Sequence, residues 1–378
     1  MSPRLLVLLF AVVLVSPACR PQVRSSPERG MSPPHSDSVK PGTGDVIDVL
    51  PRDGIPSIDQ PRFIPPEEAT WLSGREPVVA LEIGGEARAY PIQIMTRHEI
   101  VNDEVGGQPV VVTYCPLCNS PIVWQRTAGD RVLEFGVSGK LYRSALVMYD
   151  RQTESLWTHF QGVAFEGPLA GTRLEPVPAQ MLSFDEWRQS YPSGRVLSRR
   201  TGFDVDYGEN PYGGYDRREG PYDSFFRESV DSQLPAMHRV VGVPLDTGAI
   251  AYPHRALVDH DEGATVLTDR AHELVIFWRA GTVSALDATR IRDGRDVGAT
   301  GAFSPVLGGR SLTFSAEGGD IRDLETGSAW ALSGLAQSGP LEGRRLRPRR
   351  HVDTFWFAWE AYYPDTELYT RVPPPGSR

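Results

Sequence analysis

Cysteine is scarce in this chain of 378 residues, which holds only three. Cys19 closes an apolar amino-terminal leader, and Cys115 and Cys118 are the only two beyond it. The lack of a second Cys-x-x-Cys leaves a closed tetrahedral zinc site two ligands short. Basic blocks are also missing. With 39 Lys and Arg against 48 Asp and Glu, the formal net charge is -9, and no run of cations could track a phosphate backbone. Nucleic acid is therefore not an expected partner. No Ser-His-Asp order, Walker loop, His-Glu-x-x-His or dinucleotide glycine fingerprint appears.

Long apolar runs are confined to the leader. Met1–Val15 carries one basic residue and an apolar stretch well short of the roughly 20 residues that span a bilayer. It reads as a secretory signal over residues 1–19, to be set aside in fold reasoning. Ser16, Pro17 and Ala18 before Cys19 resemble a lipobox, although Ser16 stands where leucine is usual. Lipidation at Cys19 is the expectation, against ordinary cleavage nearby or a retained anchor. The chain is then an extracytoplasmic lipoprotein of the cell envelope, held to the membrane by its lipid.

What is abundant is glycine and proline, 37 and 33 residues, which favours many short elements and a β-rich fold over helix bundles. Residues 20–45, rich in Pro, Ser and Gly, read as a disordered tether. Residues 46–76 read as an ordered arm.

Laid on itself at a shift of roughly 160 to 175 residues, the chain matches repeatedly. Ala89–Pro91 recurs as Ala251–Pro253, and Val110–Thr113 answers to Leu274–Phe277. Arg131–Phe135 matches Arg310–Phe314, Asp150–Trp157 matches Asp323–Trp330, and Gly167–Leu174 matches Gly339–Leu346. Two tandem, internally duplicated β modules are expected, residues 77–199 and 239–371, mainly β with a few short helices. The helices are placed near Pro91–Thr96, Phe184–Ser190 and Thr354–Tyr362. Residues 200–238, dense in Gly, Tyr and Asp, form the connector. A calcium loop from Asp204, Asp206, Glu209, Asn210 and Asp216 lacks regular spacing.

The duplication acts as an internal control. Asp150, Thr153, Trp157 and Trp187 have counterparts in both modules and are assigned to the scaffold. The cysteine pair has none, because Trp278–Gly281 occupies the corresponding place. Gly136–Ala145 also carries residues that the second module lacks. Two differences in one module suggest one site, lined by Ser138, Lys140, Tyr142, Arg143 and Met148.

Val110–Thr113 is short, β-branched and bounded by turn residues, so it predicts a buried strand that ends at the cysteines. Three readings of the pair stay open. A soft metal, copper before others, would take Cys115, Cys118 and His98, with His159 and Met148 as further donors. His98 aligns with His260 in the module without cysteines, which favours a structural role for it. A thiol–disulfide redox centre needs a lowered thiol pKa, yet Asn119–Trp124 reads as a turn and a strand rather than a helix start. A structural disulfide closing so short a loop contributes little stability. A fourth, non-catalytic reading is a surface scaffold that binds through exposed Tyr207, Tyr212 and Tyr215.

Several segments together are distinctive: Arg52–Asp59, His98–Asp103, Thr113–Cys118, Phe135–Gly139, Leu146–Asp150, Ser155–Trp157 and Tyr207–Tyr212. On these the chain resembles the bacterial and archaeal domain-of-unknown-function family 3179 over nearly all of its mature length. The resemblance implies that the cysteine turn and Phe135–Gly139 belong to one family pattern, and it implies no activity.

Overall fold

The computed structural model describes residues 45–258 and 262–370, all within the compact unit Ser36–Arg378. The expected signal, Cys19 with the expected lipobox, almost all of the expected tether and His260 lie outside the described residues. The described chain is β-rich, with three short α-helices. No described helix is long and apolar enough to cross a membrane.

Short strands follow from the turn residues that punctuate the chain. Gly84 and Gly85 take φ of 59° and 84°, which L side chains rarely adopt, and so join Pro77–Ile83 to Glu86–Pro91 in a two-residue hairpin. The first half builds three sheets of four or five strands, besides the small pair Thr127–Ala128 and Arg131–Val132. One runs in the order Gln180–Ser183, Pro77–Ile83, Glu86–Pro91, Arg195–Leu197, Phe63–Ile64. A second runs Pro176–Val177, Ser120–Gln125, Gln108–Cys115, Ile100–Val105. The third runs Val46–Asp48, Phe135–Tyr142, Ala145–Asp150, Leu156–Thr158, Ala164–Glu166. The arm is thus stitched into the body by strand pairing at Val46–Asp48 and at Phe63–Ile64. Ile58, 1% exposed, completes the attachment by bonding Ile100 and Asn102 backbone to backbone at 2.9 Å each.

The second half repeats this order. Val352–Phe355, Arg239–Pro244, Ala249–Pro253 and Glu367–Leu368 follow the first sheet, antiparallel twice and then parallel in both halves. Asp150 accepts from the Thr153 amide at 2.6 Å and from Trp157 Nε1 at 2.9 Å, and Asp323 does the same for Thr326 at 2.6 Å and Trp330 at 3.0 Å. Asp150, Thr153 and Trp157 therefore make hydrogen bonds that Asp323, Thr326 and Trp330 repeat. The helices are α1 (Ile92–His98), α2 (Phe184–Ser190) and α3 (Trp356–Tyr362). Ser183 caps α2 by accepting from the Glu186 amide at 3.2 Å, as serine at an N-cap should.

The halves share their cores. One apolar cluster joins Val111, Tyr114, Trp124 and Trp157 to Val240, Phe355, Trp356 and Trp359, and another joins Val78 and Trp187 to Val275, Phe277 and Trp330. Strand Val352–Phe355 of the second half also lies against the cysteine turn: the Phe355 amide and Thr354 Oγ1 both donate to the Cys118 carbonyl, at 3.1 and 2.8 Å.

Candidate functional site

The cysteine strand is longer than its apolar run, extending from Gln108 through Cys115. Cys115 pairs with Ser120 as the last rung before the turn. Within the turn the Cys118 amide donates to the Cys115 carbonyl at 3.3 Å, and Asn119 takes a φ of 54°. Asparagine tolerates that conformation better than most residues, so the chain can reverse without glycine. Both cysteines are free thiols, 1% and 0% exposed. Burial pushes the Cys118 thiol up, and the neighbouring Cys115 adds to the effect.

The wall facing the thiols is the hairpin from Phe135–Tyr142 into Ala145–Asp150. Its two turn residues, Arg143 and Ser144, have φ of 51° and 65°. A two-residue hairpin with both φ positive favours Asn-Gly, and here it is built from Arg and Ser. The Ser144 carbonyl accepts from both sulfurs, at 3.9 Å from Cys115 Sγ and 3.6 Å from Cys118 Sγ. Of the seven described non-glycine residues with positive φ, four surround the thiols: Glu99, Asn119, Arg143 and Ser144. Conformations of this kind cost on the order of 1–3 kcal/mol each and gather where function holds them.

Glu99 ends α1, and its carbonyl accepts from the Tyr114 amide at 2.8 Å, one residue before Cys115. Burial alone pushes its carboxyl up to about 8, so it is largely protonated at neutral pH. Aromatic rings close the niche. The Tyr362 hydroxyl donates to the Tyr142 carbonyl at 2.7 Å, and the two rings meet edge to face at 5.6 Å. Burial raises the phenols of Tyr215 and Tyr362, with both thiols contributing.

His98 is not brought into this set. Its Nδ1 donates to the Pro56 carbonyl at 2.7 Å, and its Nε2 accepts from the Tyr207 hydroxyl at 2.5 Å, so both ring nitrogens are occupied. Burial lowers its pKa, which keeps the ring neutral. His159 is fully buried, its pKa lowered to about 3 by burial, and it bonds Thr113 Oγ1 at 3.2 Å and Ser120 Oγ at 2.8 Å. It therefore buttresses the strand pair on either side of the turn. Among the described residues no group of three or more His, Cys, Asp or Glu is gathered as a metal cluster. The pair has to act with two sulfurs and its polar surroundings.

The expected lining needs correction in its details. The Lys140 ammonium is held by Asp48, Arg143 pairs with Glu228 at 3.1 Å, and Ser138 Oγ donates to the Val147 carbonyl at 2.5 Å. Met148 is buried opposite Val137 and Trp157 as a core residue. What reaches the sulfurs is the backbone of Ser144, within the expected segment but at a residue that periodicity does not mark. The aromatic surface needs correction too: Tyr207 and Tyr215 are 5% and 1% exposed, and Tyr212 packs half-buried on the core. Nor are the calcium candidates gathered. Asp216 is held by Arg239 and Arg295, and the Asn210 amide donates to the carbonyls of Ala285 and Ala288.

The chain belongs to the family described as protein of unknown function (DUF3179), which matches residues 52–366. No curated protein and no solved structure matches it.

Proposed function

We propose that this member of the family is an extracytoplasmic lipoprotein, anchored through Cys19, that binds one soft metal ion at Cys115 and Cys118, monovalent copper before others. The observation that carries the reading is the convergence of two buried thiols on one carbonyl inside a niche of strained backbone. Two thiolates suffice for a soft monovalent ion, whereas a structural zinc site needs four ligands. On binding, both thiols lose their protons and the ion takes their place, so that metal offsets the burial that holds Cys118 protonated. The Ser144 carbonyl stands by as a weak oxygen donor. His98 has no part in this ligand set.

The second half serves the same end. Its strand Val352–Phe355 fixes the Cys118 carbonyl, and α3 supplies Tyr362. The recurrent strand order and the matched Asp150 and Asp323 bonds support a tandem duplication in which the first module kept the site and the second became its brace.

A thiol–disulfide exchange centre gains support from the adjacency of the two free thiols alone. Burial of both sulfurs and the strand after the turn work against a low-pKa nucleophile.

Metal analysis of protein purified reduced and without oxygen tests the proposal. One equivalent of copper is expected after loading the wild type, and none in the Cys115→Ser, Cys118→Ser double variant. Equal and negligible copper in both would reject it. Mass spectrometry of the mature amino terminus tests the anchor, with a lipid-modified Cys19 expected and an unmodified terminus downstream of it contradicting the assignment.

A further inference from the structure

Three polar side chains around the thiols have groups without a partner. Asn119, Ser144 and Tyr215 are 0%, 0% and 1% exposed, and Asn119 Nδ2, Ser144 Oγ and the Tyr215 hydroxyl find no hydrogen-bond partner among the described residues. They are the only amide and hydroxyl groups of which this holds among the buried side-chain atoms described. Native interiors satisfy nearly all such groups, so three together point to a ligand.

Their placement agrees. Asn119 directly follows Cys118, and the Tyr114 hydroxyl donates to its Oδ1 at 3.1 Å, which leaves the Nδ2 hydrogens unused. Ser144 already presents its carbonyl to both sulfurs. The Tyr215 ring lies 6.2 Å from that of Phe355, whose amide holds the Cys118 carbonyl. All three groups are able to donate, and a thiolate accepts.

Charge then decides which ion such a shell favours. Two thiolates around a monovalent cation keep one net negative charge, while around a divalent cation they are neutral. Donors in a low-dielectric niche stabilise the charged complex much more than the neutral one. Resting on the metal-binding reading above, we infer that Asn119, Ser144 and Tyr215 are positioning residues whose donors surround the Cys115–Cys118 thiolates and select a monovalent soft cation over a divalent one.

The test uses the full mature chain, reduced. Copper(I) affinity is measured by competition with a chromophoric copper(I) chelator, cadmium(II) affinity by competition with a divalent-metal indicator, and stability by thermal unfolding without metal. Tyr215→Phe is expected to weaken copper(I) binding about 10- to 100-fold, the usual effect of losing an outer-sphere partner. It should leave cadmium(II) affinity within about threefold, and metal-free protein should melt no lower than wild type, because only an unpartnered hydroxyl is lost. Ser144→Ala, which keeps the carbonyl, should repeat the pattern and replaces Tyr215→Phe if that variant folds poorly. Unchanged copper(I) affinity, or equal losses for both metals, would overturn the shell while leaving the metal site standing. A folded wild type that takes up no copper(I) would remove the metal site and the shell with it.

Discussion

Asp150 and Asp323 offer a matched pair of perturbations. Each carboxylate is buried, at 0% and 1% exposure, and each holds a buried tryptophan Nε1 and the amide and hydroxyl of a threonine three residues on. Asp150→Ala leaves the Trp157 donor buried and unsatisfied, about 1–3 kcal/mol, and strips the half-buried Thr153 amide of a charged acceptor, roughly 1 kcal/mol more. A total of about 2–4 kcal/mol follows, and the same sum applies to Asp323→Ala. At roughly 2 °C per kcal/mol for a unit of this size, both variants should melt about 4–8 °C below wild type. Asp150→Asn and Asp323→Asn keep an acceptor for the indole and should lose less than half of that. Metal binding should separate the pair: Asp150 ends the strand that begins directly after Ser144, whereas Asp323 lies in the second half. Copper affinity should therefore fall in Asp150→Ala and hold in Asp323→Ala. A stability loss confined to one of the two would refute the assignment of this motif to shared scaffolding.

Glu99 sets a pH dependence. The folded state holds its proton up to about pH 8, while the unfolded chain releases it near 4.5. Between those values the folded state binds more protons, so stability falls as pH rises, by up to about 1.4 kcal/mol per unit. Denaturant titrations from pH 5 to 8 should show Glu99→Gln with a flatter profile, and an identical slope in both proteins would contradict the assignment. Gly139 has a φ of 77°, and an added Cβ would meet the Leu50 carbonyl oxygen at 2.0 Å, so Gly139→Ala should cost about 3 kcal/mol. Faster proteolysis of the 46–51 arm should accompany that loss, and a variant as stable and resistant as wild type would show that the arm is not held there. Thr354→Val removes the 2.8 Å bond to the Cys118 carbonyl. It should lower stability by about 1 kcal/mol and speed metal release; a wild-type release rate would mean that the second half does not brace the turn.

Much of the fold is legible in residue order. β-branched runs between glycine pairs locate strands, and the α2 segment is marked by Ser183 ahead of an apolar Phe184 and Trp187. The expected helix at Pro91–Thr96 begins one residue later and runs to His98, because Pro91 belongs to the preceding strand and caps the helix with extended backbone. The cysteine turn and the extra length of the hairpin at Gly136–Ala145 are also visible, since the second half has no cysteines and its hairpin from Phe314–Glu317 into Asp320–Asp323 is shorter. The rest of the site is not, because it rests on contacts between distant residues. Tyr207 occupies His98 from 109 positions away, and nothing local to His98 reveals it. Tyr215, in a segment whose tyrosines look available for binding, is instead buried against Tyr222 and Phe355. Ser144 presents its backbone carbonyl to the sulfurs, and its one sequence signal is a hairpin turn written Arg-Ser where Asn-Gly would be easier. Glu99 left a similar trace: a helix end where a bulky acid takes the positive φ that glycine usually fills.

In the proposed site two sulfurs, and no imidazole, hold a soft monovalent ion. Copper K-edge X-ray absorption on reduced protein loaded with one equivalent of copper(I) tests it most directly. A first shell of two sulfur scatterers is expected, unchanged in His98→Gln and absent in the Cys115→Ser, Cys118→Ser variant. A shell containing nitrogen that disappears in His98→Gln, or the same copper environment in the cysteine variant, would contradict it.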